Sequence, residues 1–480
     1  MLLLAEFCRV RRPWEVEMEI CVSNYLLKKG YKVNTEALNL IKECDDWYSN
    51  RQIPEFHDRK TVQNVPYTLK QMNFAKRCCS DDANLCEILE VNGGRNDAQR
   101  EFVNDVLAAS EFPTQYRKQL EKTSADGTVA CYVRLDDATI MKSGRVSGGR
   151  INLNYIEAEC FMPLTVENDI VTEAAFSSSG LVKGKKSTTL VIFTKENGIY
   201  TAETAVFDEL GNRKAEKSMV LRLGDVKPFA VLQNAEVNNL DNMEGYGLPK
   251  LHNAIPALEA VELAFNVLYG DLDKADKLIL INELLCEFDS NGKPITPNEQ
   301  AKKLFVFLGE SLPEQKALIQ EYNPEIRTNQ ITKSMELALS LLSMMFGYGT
   351  KKYSFENGQI KTATEYFGER QDTMQELNRQ RQAATRYIQD IVRAVLWFSN
   401  TFHGSTWDIN AEINVEFDDS YITDKNAEME QMRADAVSFA DIPIFRIRYI
   451  MERLNCDEEQ ARAYITEGQQ DPDAGDEPED

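Results

Sequence analysis

The sequence contains no CxxC pair, only three histidines and no long apolar run, and each shortage removes a class of function. Its ten cysteines are scattered apart from the adjacent Cys78 and Cys79, and none of His57, His252 or His403 stands at metal-ligand spacing from a cysteine. That excludes the usual structural zinc site. Reduced, buried thiols in a cytoplasmic setting are the default reading. The most apolar segment, residues 337–346, is broken by Ser340 and Ser343 and falls short of the roughly 18 residues a membrane span requires. The opening MLLLAEFCRVRRPW has its arginines after a short apolar stretch instead of before a longer one, so no secretory signal is expected. Residues 1–17 read as an N-terminal extension.

Cationic excess is lacking too. Against 77 Asp and Glu stand 54 Lys and Arg, a net charge of −23. A chain that wraps nucleic acid tightly presents a basic surface, so any contact with DNA must be weak, local or non-adhesive. No Ser/His/Asp arrangement and no nucleophile elbow is found, and no catalytic residue, metal ligand or cofactor site is assigned. Two near-motifs fail on their details. The run GLVKGKKS, from Gly180 to Ser187, is one residue short of a phosphate-binding loop, and Lys186 stands where Ser or Thr should follow the first lysine. Its flanks read as strands with no helix to receive a phosphate, so it is a turn with exposed lysines. The acid pairs Asp45-Asp46, Asp136-Asp137 and Asp418-Asp419 would need further carboxylates converging on cations to make a nuclease site. A strand ending in a solvated turn gives the same pattern.

What is present is an ordinary soluble composition, 43% hydrophobic and 27% charged, over 480 residues, which is long enough for two to four structural units. Residues 34–125 read as helical: Asn34 or Thr35 can cap a helix over 36–48, and Asp97 can cap a second with Phe102, Val103, Val106 and Leu107 on one face. From Gly127 to about Leu232 the period changes to two. Val129, Cys131, Val133 and Leu135 alternate with Ala130, Tyr132 and Arg134, and 190–193 and 200–206 look similar. Turn signals recur at Gly148-Gly149, Asn197-Gly198 and Gly211-Asn212. After a break at Gly245-Tyr246-Gly247, a helix is expected to start near Ile255, with Leu258, Val261, Phe265, Leu268 and Leu272 at 3–4 spacing. Residues 278–325 are mixed, with a turn at Asp289-Ser290-Asn291-Gly292 and a strand candidate over 304–308.

A helix over 329–346 carries the stripe Ile331, Met335, Ala338, Leu342 and Met345. A loop with Gly347, Gly349 and Gly358 follows, then a helix over 364–399, about 50 Å long at 1.5 Å per residue. Its heptad seam of Met374, Leu377, Ala384, Ile388, Ile391 and Val395, interrupted by Arg381, fits either an internal core or a subunit interface. The clearest alternation in the chain runs over 409–417. Helices are expected over 425–440, 444–454 and 458–466. The final DPDAGDEPED, with six acids and two prolines, is expected to be disordered.

One ordered set of segments resembles a family. NPEIR, an apolar helix, FGYG with KYSF, then IKTATEYFGERQ opening a long helix, follow one another over 323–396 as they do in the portal proteins of tailed phages of Gram-positive bacteria. DDWYSN, NAIPALEAVELAFNVLYGDLDKADK, INVEFDDSYITDKNAE and IMERLNCDEEQARAYI agree in order, so the resemblance covers roughly 35–468. Tyr366, where relatives carry a small aliphatic residue, and the first seventeen residues depart from it. The resemblance implies an α+β portal fold: a wing over 18–254, stem helices over 255–277 and 326–346, and a clip over 278–325. A tunnel loop over 347–362, a long wing helix over 363–407 and a crown over 408–470 complete it, before the acidic tail over 471–480. It implies a homo-oligomeric ring, of twelve subunits, as the DNA conduit at one capsid vertex of a virion, assembled in the host cytoplasm. Its partners would be the terminase, the head–tail adaptor, the major capsid and scaffold proteins and non-specific duplex DNA, with no membrane and no enzymatic activity. Lys351, Lys352 and Lys361 would face DNA from the tunnel loop, although a lysine pair in a loop is by itself only a solvated turn. The competing readings are another virion structural or adaptor protein, and a packaging ATPase or nuclease. A closed ring with a central channel separates the first reading from both, and ATP hydrolysis would favour the last.

Overall fold

The computed structural model describes residues 13–94, 96–140, 146–182, 185–214, 219–273, 275, 278–282, 290, 305–308, 319–323, 325–353, 363–418, 425–439, 442–454 and 456–470. The chain is α+β and divides into two compact units, Met1–Val415 and Glu416–Asp480.

The first unit opens with α1 (Pro13–Lys28), α2 (Thr35–Tyr48) and a short turn of helix, α3 (Pro54–His57). The hairpin β1 (Asp58–Lys60) and β2 (Pro66–Thr68) follows, then α4 (Phe74–Ala83), β3 (Ile88–Asn92), α5 (Asp97–Ala109) and α6 (Phe112–Asp126). Asn34 caps α2 by accepting from the Ala37 amide at 3.0 Å, as its sequence position predicts. At α5 the cap is Asn96, accepting from Ala98, and not Asp97, which becomes the first helical residue and places its charge at the positive end of the helix.

Strands β4 (Thr128–Asp136), β5 (Thr139–Ile140), β6 (Val146–Ser147), β7 (Arg150–Glu157), β8 (Phe161–Glu167), β9 (Ile170–Val182), β10 (Lys185–Glu196), β11 (Ile199–Asp208), β12 (Met219–Arg222) and β13 (Phe229–Gln233) come next. They form a five-stranded antiparallel sheet, β12-β11-β10-β9-β8, a three-stranded one, β13-β4-β7, and the small β5-β6 hairpin. The β10–β11 hairpin turns on Asn197 and Gly198, both at positive φ, the conformation a two-residue hairpin turn needs. The described residues of the run over 180–187 are the end of β9 and the start of β10, so the near-motif there is flanked by strands and not by a helix.

Both faces of the five-stranded sheet are covered. Leu190 and Ile192 point to one face, with Met162, Ala175, Ala205 and Phe207, where Val22 and Leu26 of α1 cover them. Val191 and Phe193 point to the other, into an aromatic core with Phe161, Phe176, Tyr200 and Phe229 that the three-stranded sheet and α2 close. That double burial explains why 190–193 is uniformly apolar instead of alternating. The alternation read in β4 fails for the same reason. Residues 128–133 are all buried, because β4 is the centre strand and has α6 and the long helix on its other side.

The chain then enters α7 (Lys250–Asp273), which begins at Lys250 instead of near Ile255 and carries Pro256 inside it. Next come β14 (Leu278–Asn282), β15 (Phe305–Leu308) and β16 (Ile319–Tyr322), a small sheet with β14 central, parallel to β15 and antiparallel to β16. The Asp289-to-Gly292 turn lies almost wholly outside the described residues. Helix α8 (Thr328–Met345) returns along α7. Ile331, Met335, Ala338 and Leu342 of the expected stripe are buried, and Met345 is exposed.

The long helix is α9 (Ala363–Phe398), 36 residues. Of its seam, Leu377, Ala384, Ile388, Ile391 and Val395 are buried, and the helix packs on the chain's own β13 and β4. The seam is core. The expected strand over 409–417 shrinks to β17 (Asn414–Phe417), across the division between the units. The preceding residues form turns, because side chains capture their backbone. Gln99 accepts from the Asp408 amide at 3.0 Å, and Asp408 accepts from the Asn410 amide at 3.0 Å.

The second unit holds α10 (Lys425–Ser438), α11 (Pro443–Leu454) and α12 (Glu458–Gln470), each packed on the next. Ala436, Ile447 and Ala461 are buried, and Phe439 stacks on Phe445 at 5.0 Å. Residues 471–480 lie outside the described residues.

Candidate functional site

The features that set this chain apart cluster around the two ends of α7. At its start, Lys250 is a cation at the positive end of a helix, which the helix dipole disfavours, and it is also fully buried. Two carboxylates offset both penalties. Its ammonium lies 2.8 Å from Asp82 of α4 and 2.6 Å from Glu376 of α9. Burial by itself lowers the Lys250 pKa, but Asp82 and Glu376 outweigh it and hold it above the ordinary lysine value. The Gln380 amide donates to Asp82 at 3.0 Å and to Glu376 at 2.9 Å, and Arg379 meets the second oxygen of Glu376 at 2.9 Å. This joint ties α4, α7 and α9 together with its charges balanced, the condition for a buried ion set to be tolerated.

The segment after α8 lands on the same joint. Gly347 and Gly349 both have positive φ (76° and 69°), and a Cβ on Gly347 would stand 3.3 Å from the Glu376 side chain. Between them Tyr348 is buried, stacks on Phe346, and donates its hydroxyl to Asp82 at 2.8 Å. Tyr353 packs edge-on against Phe74 of α4. Lys351 is exposed. Lys352 is half-buried, with its ammonium over the Tyr348 ring at 5.6 Å. Lys361, the third predicted cation, lies outside the described residues.

Halfway along α7, a second buried group fixes the helix. Glu262 accepts from His57 at 3.0 Å and from the Met72 amide at 3.0 Å. Asn266 brackets Lys70, accepting from its amide at 2.7 Å and donating to its carbonyl at 2.8 Å. The later turns of α7 expose Val267, Tyr269 and Leu272, and α8 exposes Leu337, Leu341 and Met344 at helical i, i+4, i+7 spacing. Leu337 is 64% exposed, so the row lies open to solvent in the isolated chain.

Neither the joint nor the His57–Glu262 pair was legible in the sequence. Lys250, Asp82 and Glu376 sit in unremarkable local contexts, and only the fold brings them within 3 Å. Among the described residues no group of three His, Cys, Asp or Glu side chains converges as metal ligands would. Asp45 and Asp46 are engaged by Arg51, and Asp136 by Arg134. The eight described cysteines are free thiols. Burial pushes Cys78 and Cys86 up to about 12, far from the thiolate a nucleophile requires. No described helix is long and apolar enough to cross a membrane.

No family model and no curated protein matches the sequence. Among solved structures, the neck of a native GTA particle computed with C12 symmetry aligns at a TM-score of 0.40 and 11% identity, over 78% of this chain and 89% of that one. The neck of an empty GTA particle computed with C6 symmetry aligns at 0.38 and 13%, over 76% and 86%. Likeness at this level is too weak to fix a function.

Proposed function

We propose that the chain is a phage portal protein, one copy of a ring that conducts DNA through a single capsid vertex during packaging, retention and ejection. The observation that carries this reading is the α7–α8 pair. Two helices run side by side, flank a separate small sheet, and present apolar rows outward that the monomer leaves uncovered. Such rows suit head-to-tail packing against identical neighbours, which closes into a ring. The segment resemblance supplies the ring number, twelve, and the names of the parts: α7 and α8 as stem, the β14–β16 region as clip, 347–362 as tunnel loop, 408–470 as crown.

The remaining features take roles under this reading. The clip is the tip of the stem and meets the terminase first and the head–tail adaptor later. The wing meets the capsid and scaffold proteins. A net charge of −23 per copy gives a conduit that repels phosphate, and duplex DNA, with one charge per roughly 1.7 Å, slides instead of adhering. Lys351, Lys352 and Lys361 give local, sequence-independent contacts. The protein has no catalytic activity and no cofactor, and it works in the virion after assembly in the host cytoplasm.

The test is the purified protein viewed down its axis by electron microscopy, with its mass measured in solution. Rings with a central channel are expected. A folded protein that stays monomeric at high concentration would overturn the ring. A closed ring with no through-channel would favour another virion component, and ATP turnover would favour a packaging motor.

A further inference from the structure

Asp82 Oδ1 is shared by three donors: Lys250 at 2.8 Å, Tyr348 at 2.8 Å and Gln380 at 3.0 Å. Their dependence on it is unequal. Lys250 and Gln380 each also bond Glu376 Oε1, at 2.6 and 2.9 Å. The Lys250–Asp82–Glu376–Gln380 set therefore stays closed if Tyr348 leaves, and Arg379 on the second oxygen of Glu376 keeps its charges balanced. Tyr348 makes one hydrogen bond to the joint, and its hydroxyl can take water in exchange. The residues on both sides of it, Gly347 and Gly349, lack a Cβ and stand at positive φ, where backbone rotation meets the least steric resistance.

We propose that Tyr348 is a releasable clasp: its hydroxyl holds the segment carrying Lys351 and Lys352 against a joint that remains locked when the clasp opens. The clasp is a positioning device. Closed, it keeps Lys352 stacked over the Tyr348 ring beside α4. Open, the two glycines swing the lysines away while α4, α7 and α9 keep their places. The ring is buried beside Phe346 and Tyr353, so the open form is the minor one, drawn on by whatever binds the lysines. That last consequence rests on the portal reading, in which the ligand is DNA; the clasp itself does not.

The test is Tyr348→Phe in the full-length protein, which keeps the ring and deletes the hydroxyl. Hydrogen exchange by mass spectrometry should show the amides of 347–352 exchanging about tenfold faster, equivalent to about 1.4 kcal/mol. Amine labelling of Lys351 and Lys352 should accelerate with it, and exchange in α4, α7 and α9 should not change. Lys250→Met is the contrasting variant and should loosen all three helices together. Unchanged exchange over 347–352 in Tyr348→Phe would overturn the clasp. So would faster exchange spread evenly through the helices, since Tyr348 would then be a core residue only. Neither readout involves rings or DNA, so failure of the clasp and failure of the portal reading are separate outcomes.

Discussion

His57 and Glu262, 205 residues apart in sequence, meet at 3.0 Å between Nε2 and Oε2 with both side chains withdrawn from solvent. The other ring nitrogen, Nδ1, lies 2.9 Å from the Ile53 amide and 3.0 Å from the Ile53 carbonyl, so both ring nitrogens are engaged. The contact anchors the middle of α7 to the α3 turn. Glu262→Ala would leave the His57 N–H and the Met72 amide buried without acceptors. A loss of about 3–5 kcal/mol is expected, read from the denaturant midpoint. A loss below about 1 kcal/mol would show that the pair is incidental to stability.

Asp126 at the end of α6 gives a pH-dependent prediction. Burial pushes its pKa well above the ordinary carboxylate value, Lys122 at 3.6 Å pulls it down only in part, and Asp45 raises it further. Its Oδ1 has no hydrogen-bond partner among the described residues. A carboxyl raised in the folded state binds more protons folded than unfolded. Stability from this group is therefore present at low pH and lost as pH rises from the unfolded value through the folded one. Asp126→Asn should stabilise by about 1 kcal/mol at pH 8 and by less near pH 4. Urea titrations of both proteins at the two pH values check it, and a larger gain at the acidic end would reverse the assignment.

Gly127 and Gly247 approach each other backbone to backbone. A Cβ on Gly127, whose φ is +80°, would overlap the Gly247 carbonyl, and one on Gly247 would overlap that of Gly127. Either residue changed to Ala should cost about 3 kcal/mol or more. Gly198→Ala, at φ +81° with open space around it, should cost only the left-handed backbone term, about 1 kcal/mol. Equal costs at the two kinds of site would contradict the close approach.

Leu337→Lys with Leu341→Lys removes the exposed apolar row of α8 while keeping good helix formers. The monomer should stay within about 0.5 kcal/mol of its original stability, while ring formation falls sharply by mass measurement. Rings that persist would move the subunit contact elsewhere.

Lys351→Ala with Lys352→Ala should reduce packaging and DNA retention in assembled particles, and lower the salt slope of DNA binding by about 1 per contacting lysine. If both are unaffected, and a crosslinker at position 352 never captures DNA, the loop lysines have no role in DNA contact and the ring can still be a portal.

The sequence by itself determined where most elements lie. Helical period marked α2, α8 and α9, because one polar and one apolar face repeat every 3.6 residues whatever the partner. Asn-Gly set the β10–β11 turn by its own backbone preference. Burial on both faces was not local information. The uniform burial of β4 over 128–133 depends on which layers cover the sheet, and no periodicity in the strand reports that. The loss of strand over 409–413 depends on Gln99, more than 300 positions earlier, taking the Asp408 amide.

Tertiary structure alone decided the charged joint. The expected helix start near Ile255 leaves Lys250 outside the helix; in the fold it is the first helical residue, held by Asp82 and Glu376. A buried ammonium is stable only where opposite charges from distant segments arrive at hydrogen-bonding distance. That convergence is a property of packing, which composition and spacing do not encode. The same holds for the heptad seam of α9. Its pattern specified an apolar stripe, and only the position of β4 and β13 beneath it made that stripe core instead of a subunit contact.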